Sequence, residues 1–245
     1  MVTVNRIDEN TLHIPQQGRM VTDAWIFARE SILIEDEALG QLCDAASIDP
    51  DAFVCATPDI HRGYGVPIGC VWATPQFISP AAVGYDINCG MRLLTTPLEA
   101  DEVNVRPLAD SIRRDIPLGE GKHNVGLSSK EMLEFLARGV PAVGMLCAGN
   151  RRFAAAFRED ELAADLERIE DGGAMAADPS CAPPQAVGRG RDQFGTLGGG
   201  NHFIELQRVD QVFDDRLAEA WGLHRGQFVV MIHSGSRGLG HEVGG

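Results

Sequence analysis

Four glycine-rich segments of this sequence each carry a side chain that can bind a metal ion, and together they constrain the fold more than any other feature. They are PDIHRGYG (58–65), DINCG (86–90), GGGNHF (198–203) and MIHSGSRG (231–238). Each lies at the end of a stretch with β-strand character, and glycine lets backbone and ligand approach closely. The pattern indicates strands whose ends meet around a polar site.

The metal-binding candidates in these segments include a carboxylate, a thiol and two imidazoles. Asp86 and Cys89 lie within an apolar run, residues 71–94, that we expect to be buried. A buried, unpaired carboxylate is costly, whereas a metal ion neutralises it. With His202 and His233 they would form a site suited to Mn²⁺ through oxygen and nitrogen or to Zn²⁺ through sulfur and nitrogen, and the thiolate could bridge two ions. We therefore predict that the four side chains converge.

Each of these residues also has a purely structural interpretation. A single cysteine is often a small hydrophobic residue, an aspartate before Asn-Cys-Gly can cap a turn, and a histidine after a strand is often only hydrogen-bonded. His13, His123 and His224 lack the strand and glycine setting, and we interpret them as structural. The fourfold recurrence of one arrangement favours the metal site.

The charge of the chain limits the ways in which it can bind nucleic acid. Its 35 acidic and 21 basic residues give a formal net charge of −14, so its overall field repels a polyanion. A polyanion must therefore be held locally, by arginines suited to bidentate phosphate contacts. The candidates are Arg62, Arg92, Arg189, Arg191 and Arg237, and we interpret all but Arg237 as solvated surface charges.

The cysteines and the first residues indicate the compartment. The six cysteines form no C-x-x-C pair, and the start MVTVNRIDENTLHIP lacks the apolar core of a signal peptide. No apolar stretch reaches the roughly 18 residues needed to span a bilayer. We expect a cytoplasmic protein with reduced thiols and no membrane partner.

Local patterns indicate an α+β fold, with mixed sheets and surrounding helices. Residues 22–33 are predicted to form a strand or a short helix, 37–48 an amphipathic helix, and 53–94 strands and loops. The region 107–170 is predicted to be mostly helical, most clearly at 151–171, where apolar residues recur at helical spacing.

The last part of the sequence alternates between loops and regular elements. Residues 172–191, rich in Gly, Pro and Ala, are predicted to be a linker with little ability to fold by itself. A strand is expected after FGTLGGGNH, a helix around DDRLAEAWGL, and a strand at 227–232 that leads to a helix near Leu239. The length suffices for one substantial domain or two small ones. We expect one incomplete catalytic domain over 1–245, the N-terminal part of a longer protein.

Five segments resemble, in order, the family of RtcB-type RNA-splicing ligases. They are PDIHRGYGVPIG, SPAAVGYDINCGMRLL, LERIEDGGAMAADP, FGTLGGGNHFIEL and IHSGSRGLGH, and they cover most of the chain from Asp59 onward. The resemblance implies an RNA ligase that joins 2′,3′-cyclic phosphate or 3′-phosphate ends to 5′-hydroxyl ends, in tRNA splicing or RNA repair. It also implies GTP and two Mn²⁺ ions as cofactors and a covalent histidine–GMP intermediate.

The resemblance implies roles for individual residues. It makes four residues metal ligands, with the thiolate bridging the two ions: Asp86, Cys89, His202 and His233. It places three residues at the guanine nucleotide and one near the RNA or its phosphate: Asn201, His202 and Glu205, and Arg237. It gives no role to His61, and the sequence names no activating protein. The guanylylated histidine is expected beyond Gly245, so we expect this chain by itself to lack nucleotidyl transfer.

Two other functions would use the same residues. A metal-dependent phosphoesterase would employ these ligands with water as the nucleophile, and it would release phosphate without consuming GTP. A noncatalytic metal- or RNA-binding remnant would keep the fold without turnover.

Overall fold

A computed structural model describes residues 2–119, 123–148, 154–155 and 157–244. The chain divides into two compact units, Met1–Gly84 and Tyr85–Gly245. Both contain a sheet and helices, so the α+β prediction is confirmed. The single incomplete catalytic domain expected over 1–245 stays a prediction.

The first unit is built on a five-stranded sheet. Its elements are β1 (Asn5–Arg6), β2 (Thr11–Ile14), β3 (Ala24–Phe27), α1 (Asp36–Ala45), β4 (Phe53–His61), β5 (Ile68–Ala73) and α2 (Pro80–Val83). The strand order is β1-β2-β3-β4-β5, and neighbouring strands are antiparallel, except β3 and β4, which are parallel and are connected through α1. Ile14, Ile26, Leu42 and Val54 are fully buried in its core. The helix predicted at 37–48 is confirmed as α1, and 22–33 contains a strand.

The second unit contains a three-stranded antiparallel sheet of β6 (Gly90–Glu99), β7 (Phe203–Arg208) and β8 (Gln227–Ser234). The strand order is β6-β8-β7. Strands β6 and β7 each begin at the last residue of a glycine-rich segment, and β8 ends within the segment at 231–238. The strands predicted after FGTLGGGNH and at 227–232 are confirmed.

Helices complete the second unit. They are α3 (Val105–Asp115), α4 (Ser129–Arg138), α5 (Val143–Ala148), α6 (Glu159–Leu166), α7 (Pro184–Gln193), α8 (Asp215–Trp221) and α9 (Arg237–Gly244). Helix α4 begins with a capping box between Ser128 and Glu131. Its Met132 packs with Val125, Leu146 and Val187 in a second core. Among the residues that the structure describes, no helix has the length and apolarity needed to cross a membrane.

The linker predicted at 172–191 is wrong for its second half, which belongs to α7. Pro184 occupies the first turn, where a missing N–H is tolerated, and Ala186 is buried. Gly190 allows α4 and α9 to approach α7 closely, because a Cβ there would lie 2.9 Å from Met132 Cε and 3.3 Å from Leu239 Cβ. Packing against two helices therefore overrides the low helix propensity of this segment.

Two other predictions need correction. The helix expected at 151–171 is shorter, because Arg158 has an extended backbone (φ −129°, ψ 121°) and α6 spans Glu159–Leu166. Residues 151–153 and 156 lie outside the described part. The apolar run at 71–94 is not uniformly buried, since Met91 is 47% exposed and Leu94 is 49% exposed. Both lie on β6, an edge strand of its sheet.

Candidate metal centre

The strand ends of the second sheet bring the predicted metal-binding residues together. Strand β6 begins directly after Cys89, β7 begins directly after His202, and β8 carries His233 near its end. Both outer strands run antiparallel to β8, so Met91 and Phe203 each pair with His233. One ligand atom from each of the cysteine and the two histidines lies within 4.8 Å of the others.

His202 is held in one orientation by the glycine-rich loop before it. Its Nδ1 lies 3.1 Å from the carbonyl oxygen of Leu197, and its side chain is only 5% exposed. A Cβ on Gly198, where φ is +108°, would collide with that same nitrogen. Since a carbonyl only accepts, Nδ1 must donate, and the other nitrogen is directed towards the cluster.

Cys89 lies between the two imidazoles. Its Sγ is 3.3 Å from His202 Nε2 and 3.1 Å from His233 Nε2. Partial burial raises the pKa of the Cys89 thiol to about 11, and the charge of Asp86 and a hydrogen bond with it add to the rise. The residue as a whole is exposed, so the cluster lies at the surface of the unit rather than in the buried run that we predicted.

Asp86 contacts the cluster through one oxygen and the turn after β8 through the other. Its Oδ2 lies 2.8 Å from His202 Nε2. Its Oδ1 accepts hydrogen bonds from Ser236 Oγ at 3.1 Å and from the Arg237 N–H at 2.7 Å. The structure therefore places all four predicted ligands together, and their binding of a metal stays a prediction.

The chemistry of this donor set fits a divalent cation. With Nδ1 protonated, the neutral His202 ring presents a lone pair at Nε2, 2.8 Å from a carboxylate oxygen. Two lone pairs at this separation repel each other unless a proton or a cation lies between them. Ligands about 2.1 and 2.3 Å from a tetrahedral ion would be about 3.6 Å apart. The distances of 3.1 and 3.3 Å from Cys89 Sγ to the two nitrogens are close to that spacing.

Comparison with known proteins identifies the family. The family model described as "tRNA-splicing ligase RtcB" matches residues 41–245. The chain belongs to the RtcB family. Its similarity to curated members extends over nearly its whole length, which agrees with the resemblance in the five segments.

Three RtcB relatives illustrate the extent of the match. The tRNA-splicing ligase RtcB of Thermococcus kodakarensis is 39% identical over 255 residues, covering 99% of this chain and 50% of the relative. That of Aeropyrum pernix is 41% identical over 259 residues, covering 99% and 51%. RNA-splicing ligase RtcB homolog 1 of Entamoeba histolytica is 41% identical over 197 residues, covering 77% and 36%. The chain thus spans about half the length of the first two relatives.

The two further residues that the RtcB resemblance assigns to the nucleotide lie near the cluster. Asn201 is exposed in the turn that precedes His202. Glu205 lies two residues beyond Phe203 on β7, so it shares the face of the sheet that carries His233. Its carboxylate accepts a hydrogen bond from Gln207 Nε2 at 2.7 Å. Contact of either residue with a nucleotide stays a prediction.

Arg237, predicted near the RNA or its phosphate, adjoins the cluster through its backbone. Its φ is +58°, and its N–H donates to Asp86. Its Nη2 donates to the Leu118 carbonyl oxygen at 3.0 Å, while the buried Nε has no hydrogen-bond partner among the described residues. A phosphate contact by this guanidinium stays a prediction.

The remaining arginine and histidine candidates have protein partners. Arg62, Arg189 and Arg191 form ion pairs with Glu37, Glu242 and Asp192, which supports their interpretation as surface charges, and Arg92 donates to the Met91 carbonyl oxygen. His61 lies within hydrogen-bonding distance of the Asp59 carbonyl oxygen. Of the histidines interpreted as structural, His13 contacts Asp23, His123 contacts the Asp192 carbonyl oxygen, and His224 contacts Glu99.

Sequence reasoning missed the residues that orient the ligands. Leu197 orients His202, Gly198 makes room for its ring, and Ser236 contacts Asp86. The signal for two of them was present, because Gly198 and Ser236 lie in the glycine-rich segments. The Leu197 carbonyl had no such signal, since any residue supplies a carbonyl.

Proposed function

We propose that this chain supplies the metal-binding part of a GTP- and Mn²⁺-dependent RNA ligase. The substrates would be RNA ends with a 2′,3′-cyclic phosphate or 3′-phosphate and RNA ends with a 5′-hydroxyl, in tRNA splicing or RNA repair. The observation that carries the proposal is the donor cluster of Cys89, His202, His233 and Asp86, found in a chain of the RtcB family.

The geometry supports a separate role for each of these residues. His202 is oriented by Leu197, so its Nε2 faces Cys89 and Asp86 without a change of rotamer. Cys89 lies within reach of both imidazoles, which supports a bridging position between two ions. Bound divalent ions would screen the triphosphate charge of GTP and orient the groups that react. His233 would complete the ligand set from the central strand.

We propose that Asn201 and Glu205 contact the guanine nucleotide and that Arg237 contacts the RNA phosphate. Glu205 lies on the face of the sheet that carries His233, two residues along β7 from Phe203, which pairs with His233. Asn201 directly precedes His202 in the sequence. Because the chain has a formal net charge of −14, RNA would have to be held by local cationic contacts.

We also propose a cytoplasmic location, which is supported by the free thiols Cys43, Cys55, Cys70, Cys89 and Cys181.

The resemblance assigns the histidine nucleophile to sequence outside these 245 residues. We therefore propose that the chain by itself binds metal and nucleotide without forming a covalent histidine–GMP adduct, because positioning without a nucleophile yields no intermediate. Incubation with radiolabelled GTP and Mn²⁺, followed by denaturing electrophoresis, tests this directly. A labelled protein band would contradict it.

Metal binding is tested by Mn²⁺ electron paramagnetic resonance on the native chain and on Cys89→Ala. Free Mn²⁺ gives a strong signal that falls on binding, so the native chain should reduce it and the variant should reduce it less. Cys181→Ala is the control, since Cys181 is an exposed free thiol outside the cluster. Equal binding by native and Cys89→Ala chains would remove Cys89 from the ligand set.

The two alternatives are separated by RNA carrying a labelled 3′-phosphate. Release of labelled phosphate with Mn²⁺ alone would favour the phosphoesterase, because that reaction needs no GTP. Metal binding without nucleotide or RNA binding would favour the noncatalytic remnant. Binding of GTP that requires Mn²⁺ and is lost in Glu205→Ala favours the ligase.

A further inference from the structure

The two oxygens of Asp86 have different surroundings. Oδ1 accepts two hydrogen bonds, one from Ser236 Oγ at 3.1 Å and one from the backbone N–H of Arg237 at 2.7 Å. Oδ2 lies 2.8 Å from His202 Nε2 and faces the donor cluster. One oxygen is thus engaged by the protein, and the other is left for the proposed metal.

The turn that engages Oδ1 depends on glycine at two nearby positions. A Cβ on Gly235 would lie 2.7 Å from both Asp86 oxygens, so any larger residue there would displace the carboxylate. A Cβ on Gly240 would collide with Ser236 Oγ. Arg237, whose N–H donates to this carboxylate, has a φ of +58°, which is uncommon for a residue with a side chain. The turn is therefore built closely around this one carboxylate.

The torsion at the end of an aspartate side chain is broad, so an unsupported carboxylate can present either oxygen or both. Hydrogen bonds from groups behind a metal ligand restrict this freedom, and losing such a partner typically weakens metal binding about 10- to 100-fold. We propose that Ser236 is a positioning residue that holds Asp86 Oδ1 so that Oδ2 alone faces the metal. This inference rests on the proposed metal centre.

The test is a Co²⁺ titration of the 245-residue chain, followed by its visible d–d bands and by the near-ultraviolet band from cysteine sulfur to cobalt. The variants are Ser236→Ala, which removes the hydroxyl, and Gly235→Ala, which keeps the hydroxyl but displaces the carboxylate. The control is Ser129→Ala, because Ser129 is exposed at the start of α4. Thermal melts without metal show whether each variant is folded at the temperature of the titration.

Ser236→Ala is expected to weaken Co²⁺ binding about tenfold, since the Arg237 N–H remains, and to change the d–d bands while the sulfur band persists. Gly235→Ala should weaken binding further, and Ser129→Ala should match the native chain. Native affinity and native d–d bands in Ser236→Ala would overturn the inference while leaving the metal centre intact. If Ser236→Ala does not fold, native affinity in Gly235→Ala would overturn it. A native chain that binds no Co²⁺ would instead overturn the metal centre, and the positioning role with it.

Discussion

Replacing Gly198 by alanine tests whether the glycine-rich loop orients His202. Gly198 has a φ of +108°, and a Cβ there would collide with His202 Nδ1 and lie 2.6 Å from Arg237 Nη1. Gly200 in the same loop has a φ of +72°, and a Cβ there would meet no atom within 4 Å. Both alanine variants therefore incur strain from a positive φ, which is larger at Gly198 because its φ lies farther outside the left-handed α region, and only Gly198→Ala adds the collision.

The magnitudes follow from that difference. A non-glycine residue in a disfavoured positive-φ conformation costs about 1–3 kcal/mol, which both variants would incur. Gly198→Ala must also displace the His202 ring and break its hydrogen bond to Leu197, a further loss of about 0.5–1.5 kcal/mol. Loss of that orienting bond should weaken metal binding about 10- to 100-fold, whereas Gly200→Ala should keep native affinity.

Three measurements check this reasoning. Urea unfolding gives the free energy of unfolding, and Co²⁺ titration gives the affinity. Nitrogen-15 NMR of the labelled histidines shows whether Nδ1 of His202 carries the proton in the metal-free chain. If Gly198→Ala and Gly200→Ala had the same affinity and the same His202 spectrum, the proposed role of the loop would be refuted.

Three further predictions concern the metal centre and the sheet. Mn²⁺ at about 100 times its dissociation constant should stabilise the native chain by about 2.7 kcal/mol, a rise in melting temperature that Cys89→Ala should abolish and Cys181→Ala should retain. Because burial raises the pKa of the Cys89 thiol to about 11 and metal binds the thiolate, Co²⁺ affinity should rise with pH, by at most about tenfold per unit from this group, and fall on acidification. A pH-independent affinity between neutral and alkaline solution would show that metal binding removes no proton from this thiol, and would refute the prediction. Gln227→Ala should lower the free energy of unfolding by about 2–4 kcal/mol, because the buried amide bonds to Thr96 and Gly222 carbonyl oxygens and accepts from a backbone N–H; the exposed Gln211→Ala should change it by less than about 0.5 kcal/mol in a urea titration.

Much of the site could be predicted from the sequence because its residue types are chemically specific. Asp86, Cys89, His202 and His233 each lie within two residues of a glycine in segments of strand character, and few residue types other than these bind transition metals. Apolar periodicity likewise predicted α1 and β8, since that signal depends only on residues within a few positions of one another.

Only the tertiary structure decided how these pieces meet. Strand order β6-β8-β7 brings Cys89 beside His233, and no local pattern specifies which strands pair. The helix at 184–193 forms in a segment of poor helix propensity because α4 and α9 pack against it, and the partial exposure of β6 follows from its position at a sheet edge. The Leu197 carbonyl and the Ser236 hydroxyl became recognisable as supports only once the backbone placed them against His202 and Asp86. Sequence fixes the chemistry available to a site, whereas the distances that make it one site come from contacts between residues far apart in the chain.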